Sequence, residues 1–228
     1  MNAISSTLFP VLAVILGAIL AAWRRPGEGL VSGLQHLAAG VVFAAAATEI
    51  LPQVVHSGSP ATTLAGGGLA VILMLGLKGA QGEGKGPRAL LVAIGLDIFI
   101  DGMVLGLAFL AGARAGFLLT VALTMEVLFL GLTLTAELGE HYSSKAKVIG
   151  IVSGLALLLP LGTLLATPVA TLPPLAISGF LSFGLIALLY LVTEELLVEA
   201  HEKPDTPLIA SMFFVGFLSL LALEELGG

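Results

Sequence analysis

Three acidic residues stand inside apolar stretches where a charge is expensive. Asp97 and Asp101 lie in LLVAIGLDIFIDGMVLGLAFL, and Glu126 lies in FLLTVALTMEVLFLGLTLT. A carboxylate at the centre of a membrane helix costs on the order of 2.5–3.5 kcal/mol, so three together cost about 8–10 kcal/mol. Asp97 and Asp101 are four residues apart, which puts them on one face of a helix about 6 Å apart along its axis. The short AGARAG segment at 111–116 turns the chain back sharply, so the helix carrying Glu126 returns beside the first and brings Glu126 to a similar depth. No lysine or arginine occupies the middle of any apolar stretch. Acids buried without a positive side chain either carry protons or hold a cation. Met125 and Thr124, next to Glu126, add a thioether and a hydroxyl as further candidate donors. Cation binding is the chemistry this arrangement points to.

Other acids extend the line. Glu49 falls toward one end of a second apolar stretch, and Glu194, with Glu195 and Glu199 nearby, falls toward the end of a seventh. Glu49 and Glu194 are read as transport-pathway residues that guide the ion to and from the central group. His56 and His201 stand at the corresponding membrane edges. Packing against neighbouring helices is the competing reading of the acids, and it weighs most on Glu195 and Glu199, because one helix cannot aim all of them inward. His36 is read as interfacial, Glu137, Glu140, Glu224 and Glu225 as solvated helix ends, and His141 as a loop residue.

The elements that must position these groups follow from composition. The 228 residues are 57% hydrophobic and 11% charged, with a mean hydropathy of +1.10. Soluble domains carry about 25% charged residues, so the solvent that fits this chain is a lipid bilayer. A membrane helix takes about 20 apolar residues. Glycine, proline and charge divide the chain into spans at 5–23, 30–54, 63–79, 88–112, 115–138, 146–167, 174–200 and 208–225. The first span is followed, not preceded, by Arg24 and Arg25, which is the wrong flank for a cleaved signal peptide. The absence of cysteine excludes disulfides, thiolate metal sites and cysteine nucleophiles, HExxH does not occur, and the chain is read as no enzyme and as having no nucleic-acid partner.

Charge sets the expected orientation. With the N-terminus outside and eight spans, the inner loops and helix ends hold Arg24, Arg25, Lys78, Lys85, Arg88, Lys145, Lys147 and Lys203, and the outer loops hold only Arg114. That asymmetry places both termini on the extracytoplasmic side. The chain also resembles itself. A shift of 145 residues lays LGAILAA at 16–22 on LGTLLAT at 161–167, and TEILPQVVH at 48–56 on TEELLVEAH at 193–201. The third and eighth spans match poorly. A three-helix unit repeated after an intervening pair must be inverted, an architecture that transporters use with the binding site near the midplane. The expected fold is therefore all-α, eight transmembrane helices in a 3+2+3 arrangement: 5–79 as first repeat, 88–138 as central pair, 146–225 as second repeat. Glycine is abundant at 29 residues, and the GxxxG spacings Gly102/Gly106 and Gly150/Gly154 are read as helix-packing surfaces.

These residues resemble the ZIP family of divalent-metal transporters over nearly the whole chain. AAGVVFAAAATEILPQV at 38–54 is similar to that family's second helix, LDIFIDGMVLGLAF at 96–109 to its HNxP(D/E)G helix, and ALLYLVTEELLVEA at 187–200 to its penultimate helix. The resemblance implies eight spans with both termini outside, a divalent cation as transported substrate and, as in many relatives, a homodimer. There are departures. Asp97, Ile98 and Ile100 replace the family's histidine, asparagine and proline on the fourth helix, and of an HExP(H/E) pattern on the fifth only Glu126 remains, within Met125–Phe129. The resemblance thus implies one metal site, at Asp97, Asp101 and Glu126, in place of paired sites. A carboxylate-rich set suits harder ions such as Mn²⁺, whereas imidazole favours zinc. Protons competing for the carboxylates would release the ion and make transport sensitive to pH. The alternatives are a ZIP-like protein that carries another solute by proton or monovalent-ion coupling, and one that has lost transport and serves as a sensor or scaffold.

Overall fold

The structure, a computed structural model, describes residues 2–24, 27–83, 87–202 and 206–226. Arg25, Lys85 and Lys203 of the charge count lie outside the described residues, as does the side chain of Arg88. Eight helices are long and apolar enough to cross a membrane: α1 (Ala3–Trp23), α2 (Glu28–Ser57), α3 (Pro60–Gly79), α4 (Leu90–Ala111), α5 (Ala113–His141), α6 (Lys145–Thr171), α7 (Pro174–His201) and α8 (Pro207–Leu226). No strand occurs among the described residues. The count and order are those expected. Several helices run two or three residues further than the apolar stretches that announce them, because a helix continues through its polar end turns into the interface.

Proline accounts for two irregularities. It lacks an N–H and its ring crowds the carbonyl four residues back. α1 steps at Thr7, three residues before Pro10, and α6 steps at Leu157, three residues before Pro160. Two further turns are wider than α-helical, closing i to i+5: Ala46–Ile50 in α2 and Leu191–Leu196 in α7. The first precedes Pro52. The second has no proline near it and contains Glu194 and Glu195.

The helices associate chiefly as four pairs: α1 with α5, α4 with α6, α2 with α8, and α3 with α7. In a bilayer the drive for association is close packing, and small residues permit it. At each crossing a glycine lies against backbone. Gly17 of α1 rests on the carbonyl of Leu128 while Gly131 of α5 rests on that of Val14. Gly102 of α4 rests on Leu159, and Gly162 of α6 rests on Phe99. Gly40 and Gly216 do the same for α2 and α8, and Gly66 meets Gly179 between α3 and α7. The expectation for the two GxxxG spacings holds for one. Gly102 and Gly106 face α6, but a Cβ on Gly150 or Gly154 would meet no atom within 4 Å, so that pair lies on an outward face and packs nothing among the described residues.

The outer surface is apolar. Leu8, Leu64, Ile72, Leu165 and Leu218 are all more than half exposed, which suits lipid and not water. The interior holds a continuous core in which Ile98, Leu105, Leu119, Leu123, Leu159 and Leu188 are almost wholly enclosed. The acids sit within this core.

Candidate metal centre

α4 carries Asp97 and Asp101 on one face, and α5, turned back beside it, presents Glu126 to that face. One carboxylate oxygen from each of the three lies within 4.8 Å of those from the other two. Asp101 is 3% exposed and Glu126 2% exposed, while Asp97 is half-buried. Asp101 Oδ2 and Glu126 Oε2 are enclosed and have no hydrogen-bond partner. Among the described residues no lysine or arginine pairs with any of the three. An unpaired buried carboxylate oxygen is costly, and three at this spacing repel unless a cation or protons lie between them. Carboxylate oxygens this close, converging from two helices, are the ligand type that a hard divalent cation takes.

The group is reached from one end of the bundle. A vestibule of about 640 Å³ opens between the starts of α2 and α4 and the ends of α3, α5 and α7. It runs inward past Glu28, Glu137, Glu140, Glu194, Glu199 and Glu202 to Asp97 and Glu195, and among the described residues Lys78 is the basic side chain on its wall. Acids of one sign lining a low-dielectric funnel concentrate cations at its floor. Two small cavities continue from there: one of about 10 Å³ touches Asp97, Asp101 and Glu195, and one of about 30 Å³ touches Asp97, Glu126 and Glu195.

The other residues singled out by sequence fall in distinct places. Glu49 lies at the far end from the vestibule, with a side chain 13% exposed and Arg114 Nε 3.5 Å from its Oε1. Arg114 stands at the tight turn into α5 and also holds Glu224, through the backbone oxygen and the carboxylate. Glu224 is thereby part of a buried-edge cluster and not the solvated helix end expected. Glu194 is at the vestibule wall, half-exposed and bonded to Lys78 Nζ at 2.6 Å. Met125 does not join the centre. It is 38% exposed, one residue and therefore about 100° round the helix from the buried Glu126. Thr124, half-buried, donates its hydroxyl to the Thr120 carbonyl at 2.6 Å.

His36 is enclosed by protein. It is 2% exposed, its Nδ1 is 2.9 Å from the Ser32 carbonyl, and its ring stands edge-on to that of His201 at 4.9 Å. His56 and His201 each direct Nδ1 to the carbonyl four residues back, at 2.7 and 2.6 Å.

Sequence reasoning missed Gln35, whose Nε2 donates to Glu199 Oε2 at 2.7 Å, and set aside Glu137 and Glu140, which line the vestibule. A signal for the latter was present. Glu126, Leu130, Thr133, Glu137 and Glu140 follow a 4-3-4-3 spacing, one continuous face of α5 leading from the centre to the vestibule rim. Compared with known proteins, the chain matches no family model and no curated protein.

Proposed function

We propose that this protein is a divalent-cation transporter of ZIP-like architecture that binds its ion at Asp97, Asp101 and Glu126 and exposes that site alternately to the two sides of the membrane. The observation that carries the reading is the pair of enclosed, unpartnered oxygens on Asp101 and Glu126, converging with Asp97 within 4.8 Å in the middle of an apolar bundle. The ion is substrate. An all-carboxylate donor set favours Mn²⁺ or Fe²⁺ over zinc.

Alternating exposure rests on inverted repeats, and several features support them. Under the 145-residue correspondence α1, α2 and α3 map to α6, α7 and α8, with α4 and α5 exchanged. The pair α1–α5 then becomes α6–α4, and α2–α8 becomes α7–α3, which are the four principal pairs. The wide turns begin at Ala46 and Leu191, 145 apart, and the contact glycines Gly17 and Gly162 are also 145 apart. The charge count supports a cytoplasmic vestibule side and extracytoplasmic termini. With Asp97 at the vestibule floor and Glu49 clasped by Arg114, the arrangement corresponds to a state open inward and shut outward. Glu49 and Glu194, related by the repeat, then stand one at each mouth, each held by a basic residue of a neighbouring element.

The test is uptake of Mn²⁺, Fe²⁺ and Zn²⁺ into proteoliposomes by the wild type and by Asp101→Ala. Wild-type uptake of at least one metal, lost in the variant, is expected. Equal uptake of every metal by both proteins would remove the site.

A further inference from the structure

The vestibule and the two small cavities beneath it share two lining residues, Asp97 and Glu195. One small cavity is lined by Glu195 together with Asp97 and Asp101, and the other by Glu195 together with Asp97 and Glu126, so Glu195 borders the cavities that reach each acid of the centre. A wide turn of α7, Leu191–Leu196, carries both neighbours: Glu194 is bonded to Lys78 at the wall and Glu195 lines the cavities beside the acids. Such a turn shifts the helix out of α register and is found at functional sites. Glu199, next along the same wall, is occupied by Gln35. The repeat-related position to Glu195 is Ile50, which is apolar and 1% exposed. The outward half of the protein thus has no counterpart of this carboxylate.

We infer that Glu195 is a fourth carboxylate ligand of the divalent cation held by Asp97, Asp101 and Glu126, supplied by α7 from the vestibule side. The inference rests on the proposed function and adds a third helix to the two that hold the ion. Asp101 Oδ2 and Glu126 Oε2, enclosed and unpartnered, supply the inner side of the coordination sphere; Asp97 and Glu195 close it at the threshold. Four carboxylates offer up to eight oxygens, enough for a six-coordinate hard ion without any water from the vestibule. A site built this way depends on the position of α7 as well as on α4 and α5, so movement of the repeat that contains α7 removes one ligand and loosens the ion.

The experiment titrates Mn²⁺ into the full-length protein in lipid nanodiscs, following the electron-paramagnetic-resonance signal of free hydrated Mn²⁺. The variants are Glu195→Gln, Glu195→Asp, Asp101→Asn and, as a charge control remote from the site, Glu225→Gln. The wild type and Glu225→Gln should bind one Mn²⁺ alike, and Asp101→Asn should bind none. Glu195→Gln should weaken binding by at least roughly tenfold, since even outer-shell partners of a metal site contribute 10–100-fold. Glu195→Asp keeps a carboxylate and should retain part of what Gln loses. Wild-type affinity in Glu195→Gln, with binding still lost in Asp101→Asn, would overturn the fourth ligand and leave the three-acid site standing. A weakening in Glu195→Gln accompanied by an equally large fall in the thermal stability of the metal-free protein, with Glu225→Gln unchanged, would also overturn it, because the residue would then matter to folding and not to coordination. Failure of the wild type to bind Mn²⁺ would overturn this inference, while the proposed function would then stand or fall on the uptake of Fe²⁺ and Zn²⁺.

Discussion

Gly102 follows Asp101 directly and lies where α4 crosses α6. A Cβ at this position would overlap the carbonyl oxygen of Leu159, and would stand 2.8 Å from its carbonyl carbon and 3.0 Å from its Cα. All three are backbone atoms, so no rotamer change can relieve the clash. Carbon atoms pack at about 3.5–4.0 Å, which requires the two helices to part by about 1 Å. A gap of that size forfeits a quarter to a half of each contact's attraction along the crossing. The Thr163 hydroxyl donates to the Gly102 carbonyl at 2.8 Å, and the same movement stretches this bond out of range. Overpacking of this kind costs about 1–3 kcal/mol, and the rigidity of the obstacle places Gly102→Ala at the upper end. Gly154→Ala is the matched comparison. It comes from an equally spaced GxxxG pair, yet its Cβ would meet nothing, so the change should be neutral or gain up to about 1 kcal/mol of helix propensity. The assay is the temperature at which half of the detergent-solubilised protein remains monodisperse, measured for both variants and the wild type. Gly102→Ala should fall clearly below the wild type and should also bind Mn²⁺ less tightly, since Asp101 moves with its neighbour relative to Glu126. Equal stability of the two alanine variants would refute the packing argument and the α4–α6 crossing on which it rests.

Three other outcomes are expected. Mn²⁺ at about 100 times its dissociation constant should stabilise the wild type by about 2.7 kcal/mol, read as a rise in the same half-monodisperse temperature, and Asp101→Asn should show no rise. Because the chain has no cysteine, single-cysteine variants report solvent directly. Ala93→Cys on the vestibule wall should react with a membrane-impermeant maleimide, whereas Ile72→Cys, 70% exposed on α3 but facing lipid, should not; equal labelling would count against the bilayer as the solvent of that face. Arg114→Gln removes the clasp on Glu49. The pair is partly exposed and worth at most about 1 kcal/mol, so labelling of an added Ile50→Cys, enclosed when Arg114 is present, should rise by no more than about fivefold. Unchanged labelling would mean that the outward side is shut by packing alone.

The number, order and approximate limits of the eight helices were legible in the residues because each rests on a local requirement. A segment in hydrocarbon must satisfy its own backbone hydrogen bonds, and about 20 apolar residues suffice. The pairing of Asp97 with Asp101 is equally local, a matter of four residues on one helix. Glu126 followed from a tight turn that leaves the next helix only one place to go. Beyond that, the face each helix turns inward is set by the neighbour it packs against, which is remote in sequence. Gly102 and Gly150 sit in the same spacing, and only the presence of α6 beside α4 makes the first a contact and leaves the second outside. Met125 and Glu126 are adjacent, and the rotation of α5 decides that the carboxylate, not the thioether, enters the core. His36 reads as an edge residue until the end of α7 closes over it with His201. Among the crowded acids of α7, within a wide turn that no proline announces, Glu194 pairs with Lys78 while Glu195 lines the cavity that holds Asp97 and Glu126. Composition and spacing alone determined that this is a helical membrane protein with acids in its interior. Which of those acids meet was decided by helix rotation and register, because burial of a charge is favourable only where other helices bring the groups that share it.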